Sequence, residues 1–240
     1  MIIESLDNKI VKYVKKLEQK KYRDLDNVFV VFGNHLVDEA LKYGKVLYVL
    51  TTKEFDIDVL TYRVSDKVMK YLSNDKSYGD ILAVCSKNEE KDIVGNMIFL
   101  DNIQDPGNLG TIIRSASAFN IDNIILSDTS VDLYNPKVIS STEGMIFHLN
   151  ILRRKSIPFL ESIKNNYSII GTSPHGGVPL DKLKIDNNYC VVIGSEGKGI
   201  SDEVFKMCDK LTYIKMNERC ESLNASVCAS IIMYELGKDN

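Results

Sequence analysis

The residues best suited to chemistry fall in three stretches: DPGNLGTIIRSASAF (105–119), VVIGSEGKGIS (191–201) and ESLNASVCASIIMYELGK (221–238). In the first, Leu109, Ile112, Ile113, Ala116 and Phe119 recur at helical spacing and make an apolar face. Arg114 falls off that face. Its neighbours three and four residues away are Gly110, Thr111, Ser117 and Ala118, so the guanidinium rises from a surface with little bulk, where a ligand or another backbone can approach. Such a group suits the orientation of an oxygen or phosphate and the stabilisation of charge on it, although a solvated arginine on a helix exterior fits the same stretch. Ahead of it, Asp105-Pro106-Gly107-Asn108 places Pro and Gly at the central positions of a type II turn.

In the second stretch Gly194, Gly197 and Gly199 let a loop bring backbone amides close to a ligand, and Ser201-Asp202-Glu203 reads as a helix start. The G-x-x-G-x-G spacing is neither the dinucleotide fingerprint nor a phosphate-cradling loop, and a glycine-rich turn without a ligand also fits. In the third, Ser222 or Asn224 can cap a helix that Gly237 ends. Capping accounts for one of them, not for Ser, Asn and Ser recurring at 222, 224 and 226.

Other chemistries find little support. His35, His148 and His175 are scattered and form no triad that spacing supports. Cys85, Cys190, Cys208, Cys220 and Cys228 are odd in number, contain no C-x-x-C pair and have no histidine at metal spacing, so they read as reduced, mostly buried small hydrophobes, and no metal is expected. A net charge of −3 and a pI near 5.7 argue against a protein that coats nucleic acid in lysine. One local basic face exists: Lys9, Lys12, Lys16 and Lys20 step along one side of a segment whose apolar stripe is Ile10, Val14 and Leu17. That face suits either RNA phosphates or plain solvation. The N-terminal stretch lacks a signal-peptide pattern and no run approaches the roughly 18 apolar residues of a membrane span, which points to a cytoplasmic protein.

The elements that must position these residues follow from alternation. Residues 1 to about 86 read as helix, strand (28–32), helix (35–43), strand (46–50) and a later apolar strand (80–85), followed by a charged linker at 87–96. From 97 to 240, apolar runs at 97–100, 123–126, 167–171, 190–194 and 212–216 alternate with helical or turn-rich segments, the pattern of an α/β domain with a largely parallel sheet. DNIQDPGN, GTSPHGG, GSEGKGIS and NERCESLN all leave such strands at their carboxyl ends, the edge where open parallel sheets bind ligands.

Taken together, DPGNLGTIIRSASAF, VVIGSEGKGIS and IKMNERCESLNASVCASIIMYE resemble, in order and spacing, the three motifs of the SpoU/TrmH family of RNA ribose 2'-O-methyltransferases. SLDNKIVKYVKKLEQKKYR followed by VFVVFGNHLVDEAL resembles the N-terminal substrate-binding domain of its rRNA-directed members, so the likeness covers nearly the whole chain. The resemblance implies an RNA substrate-binding domain (1–86), a linker (87–96) and a parallel-sheet domain with a deep trefoil knot (97–240). It also implies S-adenosylmethionine as cofactor and a homodimer with active sites at the subunit interface. By motif position, Thr172, Gly194, Ile214 and Leu223 would contact the cofactor, and Asn108, Arg114, Glu196, Ser222 and Asn224 would be the catalytic polar set. Guanidinium holds its proton tightly, which favours Arg114 as an orienting and charge-stabilising group over a general base, with Ser222 and Asn224 fixing it and the ribose.

The chain departs from the family's usual pattern at Ser140, where arginine is common, at Glu143, where a small residue is usual, at Lys215 in place of a frequent proline, and at Phe32 in place of a frequent glutamate. Three rivals remain: a knotted RNA-binding protein without activity, a tRNA-directed 2'-O-methyltransferase and a nucleotide-dependent oxidoreductase. Intact motif residues oppose the first, the globular front domain the second, and the missing G-x-G-x-x-G the third.

Overall fold

A computed structural model describes residues 2–54, 57–74, 79–174, 176–185 and 188–238. Two compact units make up the chain: Met1–Glu89 with Asp132–Phe147, and Glu90–Val131 with His148–Asn240.

The first unit begins with β1 (Ile2–Ile3), α1 (Lys9–Lys16), α2 (Lys20–Asp26), β2 (Val28–Phe32), α3 (Asn34–Tyr43), β3 (Val46–Thr51), β4 (Thr61–Val64), α4 (Asp66–Leu72) and β5 (Ile81–Ser86). Helix α1 starts where the Asn8 side chain accepts a hydrogen bond from the Ile10 amide. Val11, Val14 and Leu17 turn into the core, while Ile10, expected on that stripe, is only half-buried. The strands run β1-β4-β3-β5-β2, with β5 antiparallel to both neighbours. β4 and α4 go beyond the elements read from the sequence; the short, half-buried TYRV carries too weak an alternation to stand out.

The second unit takes up the chain at β6 (Met97–Leu100), α5 (Pro106–Ala118) and β7 (Asn123–Ser127). The expected type II turn at 105–108 is instead the first turn of α5. Pro106 occupies the N1 region, where its missing N–H costs nothing, and the Asp105 carboxylate accepts from the Asn108 amide at 2.9 Å. The next stretch, Asp132–Phe147, which contains α6 (Pro136–Ser141), packs in the first unit. Phe29 meets Tyr134 and Phe147 there, at 4.8 and 5.9 Å between ring centroids, and buried Arg23 pairs with Asp132 at 2.6 Å. Along the chain the first boundary between the units falls inside the charged 87–96 stretch, at Glu89–Glu90; the excursion at 132–147 is not marked by composition.

The chain then returns through β8 (Asn150–Arg154), α7 (Ser156–Ile163), β9 (Ser168–Thr172), β10 (Val178–Pro179), β11 (Tyr189–Ile193), α8 (Asp202–Phe205), β12 (Lys210–Tyr213) and α9 (Ala225–Leu236). The sheet order is β10-β12-β9-β11-β6-β7-β8, and every pair is parallel. Its central strands are buried on both faces, as the continuous apolar runs require.

Candidate functional site

Strands β12, β9, β11 and β6 are consecutive neighbours in the second sheet. The four polar loops expected at the carboxyl edge leave these four strands, so they gather at one place. The loops after β9, β11 and β12 enclose a cavity of about 510 Å³. Thr172 from the end of β9, Gly194 from the end of β11, Ile214 just past β12, and Ser222 and Leu223 ahead of α9 all line it. The four residues expected at the cofactor are therefore on one wall system, joined by several that motif matching did not single out: Ser195, Asp202, Met216 and Cys228.

Glycine makes the loop after β11 possible. The backbone of Ser195 and Gly199 exchanges two hydrogen bonds, 3.0 and 2.8 Å, which folds Glu196-Gly197-Lys198 into a tight tip. A Cβ on Gly194 would lie 2.1 Å from the Gly199 carbonyl carbon, and Gly199 itself is left-handed at φ 66°. The buried Asp101 carboxylate, at the end of β6, accepts from the Ser201 amide at 2.7 Å and ties the far side of the loop to the sheet. The only sequence trace of this role is an acidic residue directly after an apolar strand.

The polar set closes into a network. One carboxylate oxygen of Glu196 accepts from the side-chain amide of Asn108 at 2.7 Å, from that of Asn224, and from the Ala225 backbone N–H at 3.3 Å. Asn224 Nδ2 also donates to Asn108 Oδ1 at 3.0 Å. The Asn224 oxygen caps α9, accepting from the Ser226 amide at 2.9 Å, the Ser226 hydroxyl at 2.6 Å and the Val227 amide at 3.3 Å. That accounts for Asn224 and Ser226 recurring together. Helices α5 and α9 are further joined by the Ser115 and Ser230 hydroxyls, 2.8 Å apart.

Arg114 stands apart from this network. It is exposed on α5, does not line the cavity, and makes no hydrogen bond or ion pair among the described residues. Ser222 and Asn224 do not hold it: Asn224 is committed to Asn108, Glu196 and the cap of α9. Lys9, Lys12, Lys16 and Lys20 are all exposed in the first unit, but Lys12 pairs with Asp7 at 2.7 Å, Lys20 pairs with Asp24, and Lys16 lies over the Tyr22 ring. Their positive charge is partly compensated before any ligand arrives.

Cys85 and Cys190 are buried, Cys208 and Cys228 half-buried, and Cys220 exposed. Burial pushes the Cys228 thiol up to about 11, so it presents an uncharged wall to the cavity. His35 sits 3.2 Å from the Glu143 carbonyl oxygen; His175 lies outside the described residues. No group of three or more His, Cys, Asp or Glu among the described residues is placed to hold a metal, and no described helix is long and apolar enough to cross a membrane.

A parallel α/β sheet with a cavity at its carboxyl edge, walled by a glycine loop whose Glu196 joins an Asn–Glu–Asn network, defines the class of protein. Residues 95–234 match the SpoU rRNA Methylase family, and residues 8–83 match the MRM3-like substrate binding domain. This chain belongs to the SpoU rRNA methylase family. It is 32% identical to the 23S rRNA (guanosine(2553)-2'-O)-methyltransferase RlmP of Bacillus subtilis (strain 168), over 98% of each chain. A TrmH-family RNA methyltransferase structure from Porphyromonas gingivalis superposes with a TM-score of 0.88 at 26% identity, covering 98% of this chain and 100% of the other. An AdoMet-bound rRNA methyltransferase from Sinorhizobium meliloti gives 0.87 at 25% identity, over 98% and 96%.

Proposed function

We propose that this protein transfers the methyl group of S-adenosylmethionine to a ribose 2'-hydroxyl of RNA, with rRNA the favoured substrate. The observation that carries the reading is the gathering of Thr172, Gly194, Ile214, Ser222 and Leu223 around one cavity beside the Asn108–Glu196–Asn224 network. The cavity fits the cofactor. Its size suits a small organic cofactor, and the crowding at Gly194 leaves a backbone-lined wall that any side chain would fill. Thr172, Gly194, Ile214 and Leu223 would hold the cofactor, which supplies a sulfonium-activated methyl group when bound. The target of the Bacillus subtilis relative, a guanosine 2'-oxygen of 23S rRNA, supports rRNA over tRNA.

Within this reading Glu196 organises. Its oxygen that takes three N–H donors is saturated, and by holding Asn108 and Asn224 it sets α5 and α9 in register. Arg114 orients the hydroxyl and stabilises negative charge as it develops on oxygen, because a guanidinium does not give up its proton near neutral pH. A homodimer belongs to the same reading. Helix α9 is apolar on more than one face, and Val227, Ile231 and Tyr234 form an exposed stripe at 46, 37 and 54%, on the helix packed beside the one that carries Arg114. Covering that stripe with a second copy would bring another chain to the otherwise unpartnered arginine. The trefoil knot, the RNA-facing role of Lys9, Lys12, Lys16 and Lys20, and a cytoplasmic location are parts of this proposal.

The test is to incubate purified protein with tritiated S-adenosylmethionine and either rRNA or tRNA from a deletion strain, then map the label. Label on a ribose of rRNA is expected. Label on a base, or on tRNA alone, overturns the proposal, and failure to bind S-adenosylmethionine in calorimetry would favour an inactive RNA-binding protein.

A further inference from the structure

The first unit contains a second cavity, of about 330 Å³, that the methyl-transfer reading does not use. Its apolar lining comes from Phe32, Leu36, Leu72 and Ile139, and Asn34, Ser140 and Glu143 contribute polar groups. Three of the four positions at which the chain departs from the family pattern, Phe32, Ser140 and Glu143, meet here. Two carboxylates face the cavity, and they are not equivalent. Glu18 is satisfied, accepting from Lys15 and from Asn74 at 2.7 Å each. The Glu143 carboxylate has no hydrogen-bond partner among the described residues, and His35 Nε2 lies 4.0 Å from it.

The backbone holds Glu143 at φ 49°. The other non-glycine residues with positive φ among those described are all asparagines (Asn27, Asn74, Asn102 and Asn120), which tolerate that region through their short side chains. Glu143 directly follows Thr142, the C-cap of α6, where a left-handed residue commonly ends a helix, so the helix end sets the direction in which its side chain leaves the backbone. The next residue, Gly144, is left-handed at φ 87°, and a Cβ there would strike Glu39 Cγ at 2.6 Å, so the turn that aims Glu143 is tightly determined.

A half-exposed carboxylate that accepts no hydrogen bond from the described residues, beside an apolar floor, repels phosphate and suits a flat, neutral ligand with N–H donors. RNA-binding proteins receive unstacked bases in this way, by apolar contact with the ring and hydrogen bonds to its edge. Guanine alone among the standard bases sets two N–H donors, N1–H and the 2-amino group, side by side to match both oxygens of a carboxylate. The exposed Asn34 amide, likewise without a partner among the described residues, offers a donor to its carbonyl oxygen. We infer that this cavity takes an unstacked guanine of the substrate RNA, with Glu143 receiving its N1–H and 2-amino groups. The inference rests on RNA being the substrate.

The probe is an oligouridine carrying one central guanosine, compared with the same strand carrying inosine, which lacks the 2-amino group. The full-length protein is expected to bind the guanosine strand roughly tenfold more tightly, the value of one charge-assisted hydrogen bond, and Glu143→Gln is expected to bring the ratio close to one with an unchanged circular dichroism spectrum. A 6-thioguanosine strand is expected to photocrosslink within residues 32–36 or 139–143. A Glu143→Gln protein that keeps the wild-type ratio, or crosslinks confined to other segments, overturns the inference. Methyl transfer to rRNA is measured on the same wild-type protein. If it methylates yet ignores the guanosine–inosine difference, the guanine pocket alone fails; if it neither binds RNA nor transfers label, the functional reading fails and the pocket with it.

Discussion

Glu196 gathers three N–H groups on a single oxygen, and so ties Asn108, Asn224 and the start of α9 together. Replacing it with alanine strands the Asn108 and Asn224 amides, so methyl transfer should fall steeply, with the loss visible in initial rates against rRNA. Arg114 behaves differently because it bonds to no other group among the described residues. Arg114→Ala should lower kcat by roughly 10²- to 10³-fold, the usual effect of removing a charge-stabilising donor, with S-adenosylmethionine affinity unchanged in calorimetry. Arg114→Lys separates the two roles: activity that rises strongly with pH in the lysine variant would favour a base, and a uniformly weak enzyme would favour the planar fork. The cysteines offer a milder probe. Iodoacetamide at pH 8 should label exposed Cys220 first, while Cys228, held as a thiol by burial, should react slowly in the folded protein, as peptide mapping would report.

At the scale of elements, the loop after β11 and the start of α9 carry the site. Gly194→Ala forces a Cβ into the Gly199 carbonyl, so the loop must shift; the expected result is a destabilisation of about 1–3 kcal/mol and a large loss of cofactor affinity, read by thermal melts and calorimetry. Asn224→Ala removes both the cap of α9 and a corner of the network, and should cost about 1 kcal/mol from the cap alone in denaturant unfolding. The glycine loop and the helix that follows NERCESLN were legible in sequence because each depends on local chemistry. The first turn of α5 differs from the expected type II turn because Pro-Gly serves either structure; the Asp105 side chain, capping the Asn108 amide three residues on, decides for the helix. β8 lies outside the apolar runs because NILRR carries three polar residues in five. Its Asn150 and Arg153 are satisfied by partners far along the chain: Asn150 bonds Asn123, and Arg153 donates to the carbonyls of Ser127, Ser130 and Val131.

At the scale of the molecule, ion pairs and the exposed face of α9 set the remaining expectations. Arg154, 2.8 Å from Glu90, holds that carboxyl below the usual glutamate range. A carboxyl with a lowered folded-state pKa stabilises the fold above its unfolded value, about 4.3, and loses that contribution as pH falls through the folded value. Glu90→Gln should therefore flatten the decline in Tm below about pH 4 and leave the neutral-pH dependence unchanged. A dimer through α9 predicts that Ile231→Asp with Tyr234→Lys yields a monomer in analytical ultracentrifugation and, if a second copy supports Arg114, an inactive one.

The sequence by itself determined the parallel α/β class, the three polar segments and their place after strands, because apolar runs, glycines and caps act over a few residues and leave a local record. Only the tertiary structure decided that β12, β9, β11 and β6 lie side by side, that Asn108, Glu196 and Asn224 close one network, and that 132–147 packs with the first unit. Strand order and long-range hydrogen bonds join residues as much as 116 positions apart, and no local propensity encodes such a meeting.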